Sequence, residues 1–368
     1  MLKSFIRSEF SHGWSYLMEP EILIMIIKKL FSMVLVAIMV ASCGNTSPSF
    51  QPSDSPTQPL EPSMVTLRMN ISNNTSYAPI YIAEEEGYFN EFGIQMEYIQ
   101  ISRSTEALAL LVSGDIDVLA GVLLSGILNV MNQDPTVKAV ADRGHIEPGA
   151  CTYQAIVVRK DLYDNGQVSS AADLKGLPIS AVPSGPSGFL LGSYLAQAGL
   201  TLDDVETNDV PSAAYIDAYN NKTLAAVSTT DPVMTSLLDA GNATILARAE
   251  DVLGVYQSSL LIFGRKLIVD NPDLGARFMA AYLKGVNQYN QGKTERNLQI
   301  MVDNSGESLD VLKKACWPAM RQDGSIDFKG VEPFQNWSIV NGYLETGVSQ
   351  EQFYDPSFLD AARVLLNQ

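Results

Sequence analysis

Two successive blocks of alternating strand-like and helix-like segments constrain the fold of this chain more than any other feature. In the first block, VTLRMNIS and FGIQMEYIQIS alternate apolar with polar residues, and IDVLAGV is a short apolar run. Helix-like segments with capping and terminating residues separate these strands. The same order resumes after about residue 155, beginning with QAIVVRKDL. Strand and helix in alternation predict the α/β class, with parallel, doubly wound sheets.

Composition and charge narrow the classes of function. The chain has 368 residues, of which 46% are hydrophobic and 18% are charged, as is typical of a globular protein. The formal net charge is −17, and residues 1–43 carry four basic and three acidic groups, so the remainder carries −18. Affinity for nucleic acid comes mostly from neutralising phosphates. We therefore expect no nucleic-acid partner.

A short apolar segment near the N terminus is typical of an export signal. Two lysines precede the run LFSMVLVAIMVAS, and small residues end it. This run is shorter than the ~20 apolar residues that a bilayer-spanning helix needs. We therefore predict a signal peptide over residues 1–42, with Met25 as the candidate start.

The residues that follow indicate a lipid anchor and a tether. The tetrapeptide VASC, which ends at Cys43, resembles the bacterial lipobox, in which a peptidase cuts before the cysteine and the thiol carries a diacylglycerol. The alternative is a buried cysteine in a core helix. Residues 44–63 are rich in proline and serine and predict a flexible linker, so that residues 43–63 hold the lipidated cysteine and its tether. The expected location is extracytoplasmic, at a membrane through the lipid on Cys43.

Catalytic signatures are scarce. His12 falls in the signal region, which leaves His145 as the one histidine of the exported part. The sequence has no CxxC, HExxH, GxxxxGKS/T or GxSxG motif. These counts exclude a histidine relay and a multi-histidine metal site, and we predict no metal and no cofactor. A carboxylate-based hydrolase stays open. His145 is predicted to be a solvated loop residue, with a ligand contact as the alternative.

Two further cysteines, Cys151 and Cys316, lie far apart in the exported part of the chain. In an extracytoplasmic protein such a pair commonly forms a disulfide. Free cysteine is also among the most buried residue types, so two buried thiols are the alternative. The residues alone do not separate these two interpretations.

Four strand-to-helix turns form the candidate ligand site. In open α/β sheets, ligands bind beyond the carboxyl ends of the strands. Helix N termini there offer unpaired N–H groups that suit a small oxyanion, and tyrosines near the turns can stack on a flat ligand. For each turn alone, ordinary capping is the alternative. The aromatic candidates are Tyr77, Tyr153, Tyr215 and Tyr256. The predicted ligand-binding residues are Asn73, Tyr77, Gly121, Ser125, Tyr153, Ser184, Ser187 and Asp231.

Three segments carry a family resemblance. APIYIAEEEGYFNEFGIQMEY and EALALLVSGDIDVLAG resemble N-terminal segments of solute-binding proteins of the nitrate/sulfonate/taurine and thiamine-precursor type, the NMT1/THI5-like family. WSIVNGYLETGVSQEQFYDPSFLDAARVL is similar to the C-terminal segment of these proteins. The resemblance implies a type II periplasmic-binding-protein fold, with two lobes and a hinge that the chain crosses twice. It implies lobe 1 over residues 64–155 and 262–368, and lobe 2 over residues 156–261.

The resemblance also implies a function. A member of this family captures a small solute, such as a sulfonate- or nitrate-like anion or a pyrimidine- or flavin-type heterocycle, and delivers it to an ABC permease and its ATPase. All the predicted ligand residues except Tyr153 fall at matching turns. We expect a monomer without enzymatic activity, since the histidine and cysteine-rich motif of the enzymatic branch is absent. The alternatives are a lipid-anchored enzyme and a ligand sensor for a membrane receptor.

Overall fold

The computed structural model describes residues 64–101 and 103–367. The predicted signal peptide, Cys43 and the linker lie outside these ranges. Within them, none of the helices combines the length and the hydropathy that a membrane-spanning helix needs.

The first lobe is built on a five-stranded sheet with the spatial order β2-β1-β3-β10-β4. Its strands are β1 (Val65–Ile71), β2 (Ile94–Gln100), β3 (Val118–Val122), β4 (Lys138–Ile146) and β10 (Tyr256–Phe263). Strand β1 runs parallel to β2 and β3, and β10 runs antiparallel to β3 and β4. The side chains of β10 are buried throughout, as expected for a strand inside a covered sheet.

The second lobe is built on another five-stranded sheet, with the order β7-β6-β8-β5-β9. Its strands are β5 (Gln154–Arg159), β6 (Pro178–Ser180), β7 (Glu206–Asn208), β8 (Ala226–Thr230) and β9 (Ala243–Arg248). Strand β6 runs parallel to β7 and β8, whereas β5 runs antiparallel to β8 and β9.

Both sheets are therefore mixed, which corrects the prediction of parallel sheets. The antiparallel strands β5 and β10 are the ones that the chain enters directly from the other lobe. Such a strand begins at the edge facing the other lobe, where the parallel strands end, so it has to run in the opposite direction. The pairing of Gln154, the first residue of β5, with Thr230, the last residue of β8, shows this geometry.

Helices cover both sheets. Those around the first sheet are α1 (Ala78–Glu85), α2 (Tyr88–Glu91), α3 (Ser104–Ser113), α4 (Ser125–Gln133), α10 (Pro272–Tyr289), α11 (Glu295–Ser305), α14 (Gln350–Phe353) and α15 (Ser357–Leu366). Those of the second lobe are α5 (Lys160–Asp164), α6 (Pro186–Ala196), α7 (Tyr215–Asn220), α8 (Val233–Asp239) and α9 (Ala249–Leu253). The remaining helical elements are α12 (Leu309–Lys314), α13 (Glu332–Val340), the 3-10 turns Thr75–Tyr77, Ala171–Leu174, Leu202–Asp204, Ser212–Ala214 and Phe328–Gly330, and a π turn over Lys266–Asp270.

The predicted end of lobe 2, between residues 261 and 262, falls inside a strand. Strand β9 ends at Arg248 and β10 begins at Tyr256, so the chain has already returned to the first sheet at that residue. Residues 256–263 form one continuous strand, which pairs with β4 from Tyr256 and with β3 from Ser259 onward.

Helix α13, near the C terminus, contacts both lobes. Its Phe334 and Trp337 pack on Phe189 of α6, with ring centroids 5.6 and 5.4 Å apart. Its Ser338 accepts a hydrogen bond of 2.9 Å from Ser125 of α4, in the first lobe. The C-terminal segment therefore joins the two lobes at the first turns of α4 and α6.

Cys151 and Cys316 form a disulfide, with Cα atoms 5.6 Å apart. This contact decides between the two interpretations that the sequence left open. Cys151 lies in the first crossing between the lobes, and Cys316 follows α12. The bond therefore ties the hinge to the C-terminal part of the chain.

His145 is buried in a strand, which corrects the prediction of a solvated loop residue. It lies in β4, its side chain is 5% exposed, and its Nδ1 is 2.8 Å from Asp142 Oδ2. Asp142 also accepts hydrogen bonds from Gln257 and from the backbone of Arg321. Pairing with β10 extends β4 as far as Ile146, which removes His145 from solvent.

Candidate ligand-binding site

A cavity of about 470 Å³ lies between the two lobes. It is formed at the carboxyl ends of β3, β6, β7 and β8, together with the first turn of α3. This is the place where open α/β sheets bind ligands, and the volume falls in the usual range for small-molecule sites. The lining residues are Arg103, Ser104, Thr105, Val122, Leu124, Gln154, Val182, Pro186, Ser187, Asp209, Val210, Pro211, Ser212, Ala213, Tyr215, Ser228, Thr229 and Thr230.

The first lobe contributes the start of α3 and the end of β3. Ser104 is the first helical residue of α3, and Arg103 occupies the cap position without a side-chain capping bond. Ser104 Oγ accepts a hydrogen bond of 3.4 Å from the backbone N–H of Val122. This contact fixes the helix start against the end of β3.

The floor of the cavity is a pair of antiparallel strands in the second lobe. Gln154 of β5 lies opposite Thr230 of β8, and Ser228 lies two residues before Thr230, on the same face. Thr230 Oγ1 accepts a hydrogen bond of 3.2 Å from Asn74 Nδ2, which belongs to the first lobe. The two lobes are thus joined by a direct contact at the edge of the floor.

The loop after β7 forms one wall. Tyr215, at the start of α7, is mostly buried, and its hydroxyl accepts a hydrogen bond of 3.2 Å from Ser180. Burial raises the pKa of the Tyr215 hydroxyl, so this group stays protonated at neutral pH. Ser180 also accepts a bond from the backbone N–H of Val210, which fixes the loop to the sheet.

One ion pair spans the mouth of the cavity. Arg103 Nη1 of the first lobe lies 2.5 Å from Asp209 Oδ2 of the second lobe. These are the only charged residues among those that line the cavity. Since each neutralises the other, the lining carries no net charge. Both side chains are about half exposed, so the pair contributes little to stability by itself.

The family of the chain follows from a comparison with known proteins. A family model described as NMT1/THI5 like matches residues 74–291, more than half of the 368 residues. The chain belongs to the NMT1/THI5-like family. A curated relative is the riboflavin-binding protein RibY of Chloroflexus aurantiacus, which is 23% identical over 69% of this chain and 71% of its own length.

Solved structures confirm the predicted periplasmic-binding-protein fold for this NMT1/THI5-like chain. The nitrate-binding protein NrtA of Synechocystis has a TM-score of 0.69 at 16% identity, covering 83% of this chain and 90% of NrtA. The aliphatic sulphonate binding protein SsuA of Escherichia coli has a TM-score of 0.64 at 16% identity, covering 79% of this chain and 92% of SsuA. The desulfurization enzyme DSZB is also similar, with a TM-score of 0.58 at 15% identity, covering 82% of this chain and 99% of DSZB. At these identities the similarity shows the fold alone.

Among the eight ligand-binding residues predicted from sequence, Ser187 lines the cavity of this NMT1/THI5-like protein. Its Oγ accepts a hydrogen bond of 2.9 Å from the backbone N–H of Val182. Ser184 lies in the same turn, and its carbonyl oxygen accepts bonds from the backbone and side chain of Ser125. Ser125 and Ser184 therefore join the lobes and lie outside the cavity lining.

Asn73, Tyr77 and Gly121 also lie outside the lining. Asn73 is exposed on the surface. Tyr77 is 5% exposed, and its hydroxyl donates a bond of 2.7 Å to the carbonyl oxygen of Ala120. The buried Arg143 places its guanidinium carbon 4.3 Å from the centre of the Tyr77 ring and donates a bond of 2.9 Å to the carbonyl oxygen of Gly121. These residues hold the first sheet together beneath the cleft.

Tyr153 and Asp231 have protein partners as well. The Tyr153 hydroxyl donates a bond of 2.5 Å to Asn74 Oδ1. Asp231 is 2% exposed and accepts bonds from the backbone and hydroxyl of Thr235, in the first turn of α8, and from the backbone N–H of Cys316. Burial raises the pKa of the Asp231 carboxyl, and the bonds from Cys316 and Thr235 oppose that rise. The geometry matches the capping interpretation of Asp231.

Sequence reasoning missed most of the lining. Arg103 was not considered, because a charged residue before a helix is usually solvated. The loop that begins at Asp209 was missed because β7 has three residues and a polar sequence, ETN, without a clear strand period. Gln154 was taken as part of an apolar strand. The signal that could have identified Gln154 is its position, as a polar residue at the start of such a strand.

In the part of the chain that the structure describes, no group of three or more His, Cys, Asp or Glu side chains is arranged to hold a metal ion. The lining instead offers hydroxyl and amide groups together with apolar side chains such as Val122, Leu124 and Val210. The cavity can thus bind an organic molecule through hydrogen bonds at one side and apolar contact at the other.

Proposed function

We propose that this NMT1/THI5-like protein is the extracytoplasmic solute-binding component of an ABC importer. The observation that carries the proposal is the cavity between the lobes, which residues of both lobes line at the carboxyl ends of the strands. The family and the fold support a solute-binding role. The protein would capture a small solute and deliver it to a membrane permease driven by an ATPase.

Hinge closure is the proposed mechanism. Contacts such as Arg103 to Asp209 and Asn74 to Thr230 cross the cleft and are available only when the lobes are close. A solute that touches both lobes prefers the closed state and shifts the equilibrium towards it. The permease then distinguishes the closed, loaded protein from the open one.

Attachment to the membrane is part of the same proposal. Lipidation of Cys43 would keep the protein at the outer face of the membrane, and residues 44–63 would act as the tether. The folded part is expected to work as a monomer, because the cavity is complete within one chain. The disulfide between Cys151 and Cys316 fits an oxidising, extracytoplasmic compartment.

The solute belongs to one of two chemical groups, small oxyanions or flat heterocycles. The names of NrtA and SsuA support an anion, and that of RibY supports a flavin. Hydroxyl groups and helix starts in the lining suit an oxyanion. The apolar lining and Tyr215 suit a flat ring.

A ligand panel tests the function. The full-length protein, purified in mild detergent, is heated with nitrate, ethanesulfonate, taurine, uracil, thiamine or riboflavin. A ligand at about a hundred times its dissociation constant adds about 2.7 kcal/mol to the free energy of unfolding and raises the melting temperature visibly. We expect one chemical group of the panel to do so. If no compound raises it, the proposal fails.

Two matched variants place the binding in the cavity. Ala213 and Ala172 are both exposed and both lie in 3-10 turns of the second lobe, but only Ala213 lines the cavity. Ala213→Trp is expected to weaken binding of the active compound at least tenfold, and Ala172→Trp is expected to leave it unchanged. Equal affinities would contradict the cavity as the site. Recovery of the compound unchanged after incubation excludes conversion by an enzyme.

The ion pair at the mouth gives a separate prediction. Arg103→Ala or Asp209→Ala is expected to weaken ligand affinity about two- to fivefold, as befits an exposed pair worth up to about 1 kcal/mol. Exchanging the two charges in the double variant Arg103→Asp, Asp209→Arg is expected to restore most of the loss. Titrations at low salt and at 0.5 M salt check this, because salt should reduce the difference. If the double variant binds the ligand more weakly than both single variants, the ion pair does not hold the lobes closed.

A further inference from the structure

Two buried polar atoms at the cavity floor have no hydrogen-bond partner within the described residues. They are Gln154 Oε1 and Ser228 Oγ. The two residues are 1% and 4% exposed, and both line the cavity. A buried polar group without a partner costs about 1–3 kcal/mol, and most such groups in proteins are paired. Two of them in the lining of one cavity indicate a place that a ligand completes.

The orientation of the Gln154 amide is fixed by its other end. Its Nε2 lies 3.1 Å from the backbone carbonyl oxygen of Pro186. A carbonyl oxygen can only accept, so the amide nitrogen has to face it. The atom left free is therefore the amide oxygen, which needs a hydrogen from the ligand.

The strand register sets the spacing of the two groups. Gln154 lies opposite Thr230, and Ser228 is the diagonal neighbour of Gln154 on the same face. Diagonal neighbours lie about 7–8 Å apart at the backbone, so the side-chain ends are close enough for one small molecule to reach both. The Ser228 hydroxyl can donate or accept.

The charge of the lining supports a neutral ligand. Arg103, the one cationic group among the lining residues, is already paired with Asp209. A nitrate or alkanesulfonate ion would have to compete with that carboxylate for the guanidinium. Neither ion carries a hydrogen that could satisfy Gln154 Oε1.

We infer that Gln154 and Ser228 form a subsite for the N–H and C=O edge of an uncharged lactam or ureide ring. The ring N–H donates to Gln154 Oε1, and the adjacent carbonyl oxygen accepts from the Ser228 hydroxyl. The rest of the ring system lies against apolar side chains of the cavity, such as Leu124 and Val210. This inference rests on the proposed solute-binding function and narrows its ligand to the heterocyclic group.

A matched pair of ligands tests the subsite without altering the protein. Riboflavin carries a ring N–H between two carbonyl groups, and 3-methylriboflavin differs from it by a methyl group on that nitrogen. We expect the full-length protein to bind riboflavin at least tenfold more tightly than 3-methylriboflavin in isothermal titration. The pair of uracil and 1,3-dimethyluracil serves as a second, smaller probe. Equal affinities within both pairs would overturn the inference.

Variants identify the protein partner of that hydrogen. In the Gln154→Met variant, the affinities for riboflavin and 3-methylriboflavin are expected to differ by less than twofold, because the acceptor of the ring N–H is gone. Ser228→Ala is expected to weaken riboflavin binding about fivefold while leaving the melting temperature of the free protein unchanged or higher, since it removes an unpaired hydroxyl. Ser236→Ala, on α8 away from the cavity, is the control. If Gln154→Met still binds riboflavin tenfold more tightly than 3-methylriboflavin, the assignment of Gln154 as the acceptor of the ring N–H is overturned.

The outcomes separate this inference from the proposed function. Binding of nitrate or ethanesulfonate, with no binding of riboflavin or uracil, overturns the subsite and leaves the solute-binding function standing. No binding of any of these probes contradicts both. Binding of riboflavin or uracil that depends on the ring N–H supports both.

Discussion

Removing the disulfide between Cys151 and Cys316 is expected to lower the free energy of unfolding by about 3–5 kcal/mol. The two cysteines are 165 residues apart in sequence. A crosslink across so long a loop restricts the unfolded chain strongly, and the predicted loss rises with loop length. The double variant Cys151→Ala, Cys316→Ala, compared with the parent chain by urea unfolding at equilibrium, measures the effect.

Other contacts hold the native segment around Cys316 in place. Its carbonyl oxygen accepts a bond from Thr75, and its backbone N–H donates to Asp231. The neighbouring Trp317 stacks on Tyr289 with ring centroids 5.4 Å apart. The disulfide should therefore act mainly through the unfolded state, and ligand affinity should change by less than about threefold.

Reduction provides the control for this first prediction. A reducing agent should destabilise the parent chain by a similar amount and leave the double variant unaffected. Equal stability of the parent chain with and without reducing agent would contradict the prediction. A large loss of ligand affinity in a folded double variant would show instead that the bond positions the lobes.

Gly188→Ala is expected to lower the free energy of unfolding by about 2–4 kcal/mol and to weaken ligand binding. A Cβ atom at residue 188 would lie 2.3 Å from the carbonyl oxygen of Pro183 and 2.6 Å from that of Val182. Both obstacles are backbone atoms, so the turn between β6 and α6 has to move. That turn carries Val182, Pro186 and Ser187 into the cavity lining, so the move alters the site.

Gly126→Ala is the matched control. Gly126 also lies in the first turn of a helix, α4, but a Cβ atom there would meet only Leu108 Cδ2, at 3.8 Å. Alanine at this position is expected to leave stability unchanged or to raise it by up to about 1 kcal/mol. Urea unfolding of both variants and titration with the active ligand measure the contrast. Similar behaviour of the two variants would contradict the close packing assigned to the turn.

Long periodic segments were predictable from sequence. The alternation in VTLRMNIS and FGIQMEYIQIS gives β1 and β2, and the helical spacing of apolar residues gives α10. Pro79 in the first turn of α1 and Gly87 after its end, with φ of +72°, are local signals of where that helix begins and ends. These signals are local, because each depends on residues a few positions apart.

The candidate site was much less predictable. Small residues after a strand are a local signal, and the turn that they mark places Ser187 in the cavity lining. The partnership of Arg103 with Asp209 joins residues 106 positions apart and depends on how the lobes face each other. The hydroxyls of Tyr77 and Tyr153 form hydrogen bonds with Asn70 and Asn74, and no periodicity in the sequence reveals these partners.

The sequence by itself determined the α/β class, the order of strands and helices, and the resemblance to the NMT1/THI5-like family. The tertiary structure alone decided that Cys151 and Cys316 pair, that β5 and β10 run antiparallel, and that Gln154 and Ser228 share one face of the floor. The physical reason is one of range. Propensity, capping and apolar periodicity act within a few residues, whereas a binding cavity is made by side chains that strand pairing and lobe closure bring together from distant parts of the chain.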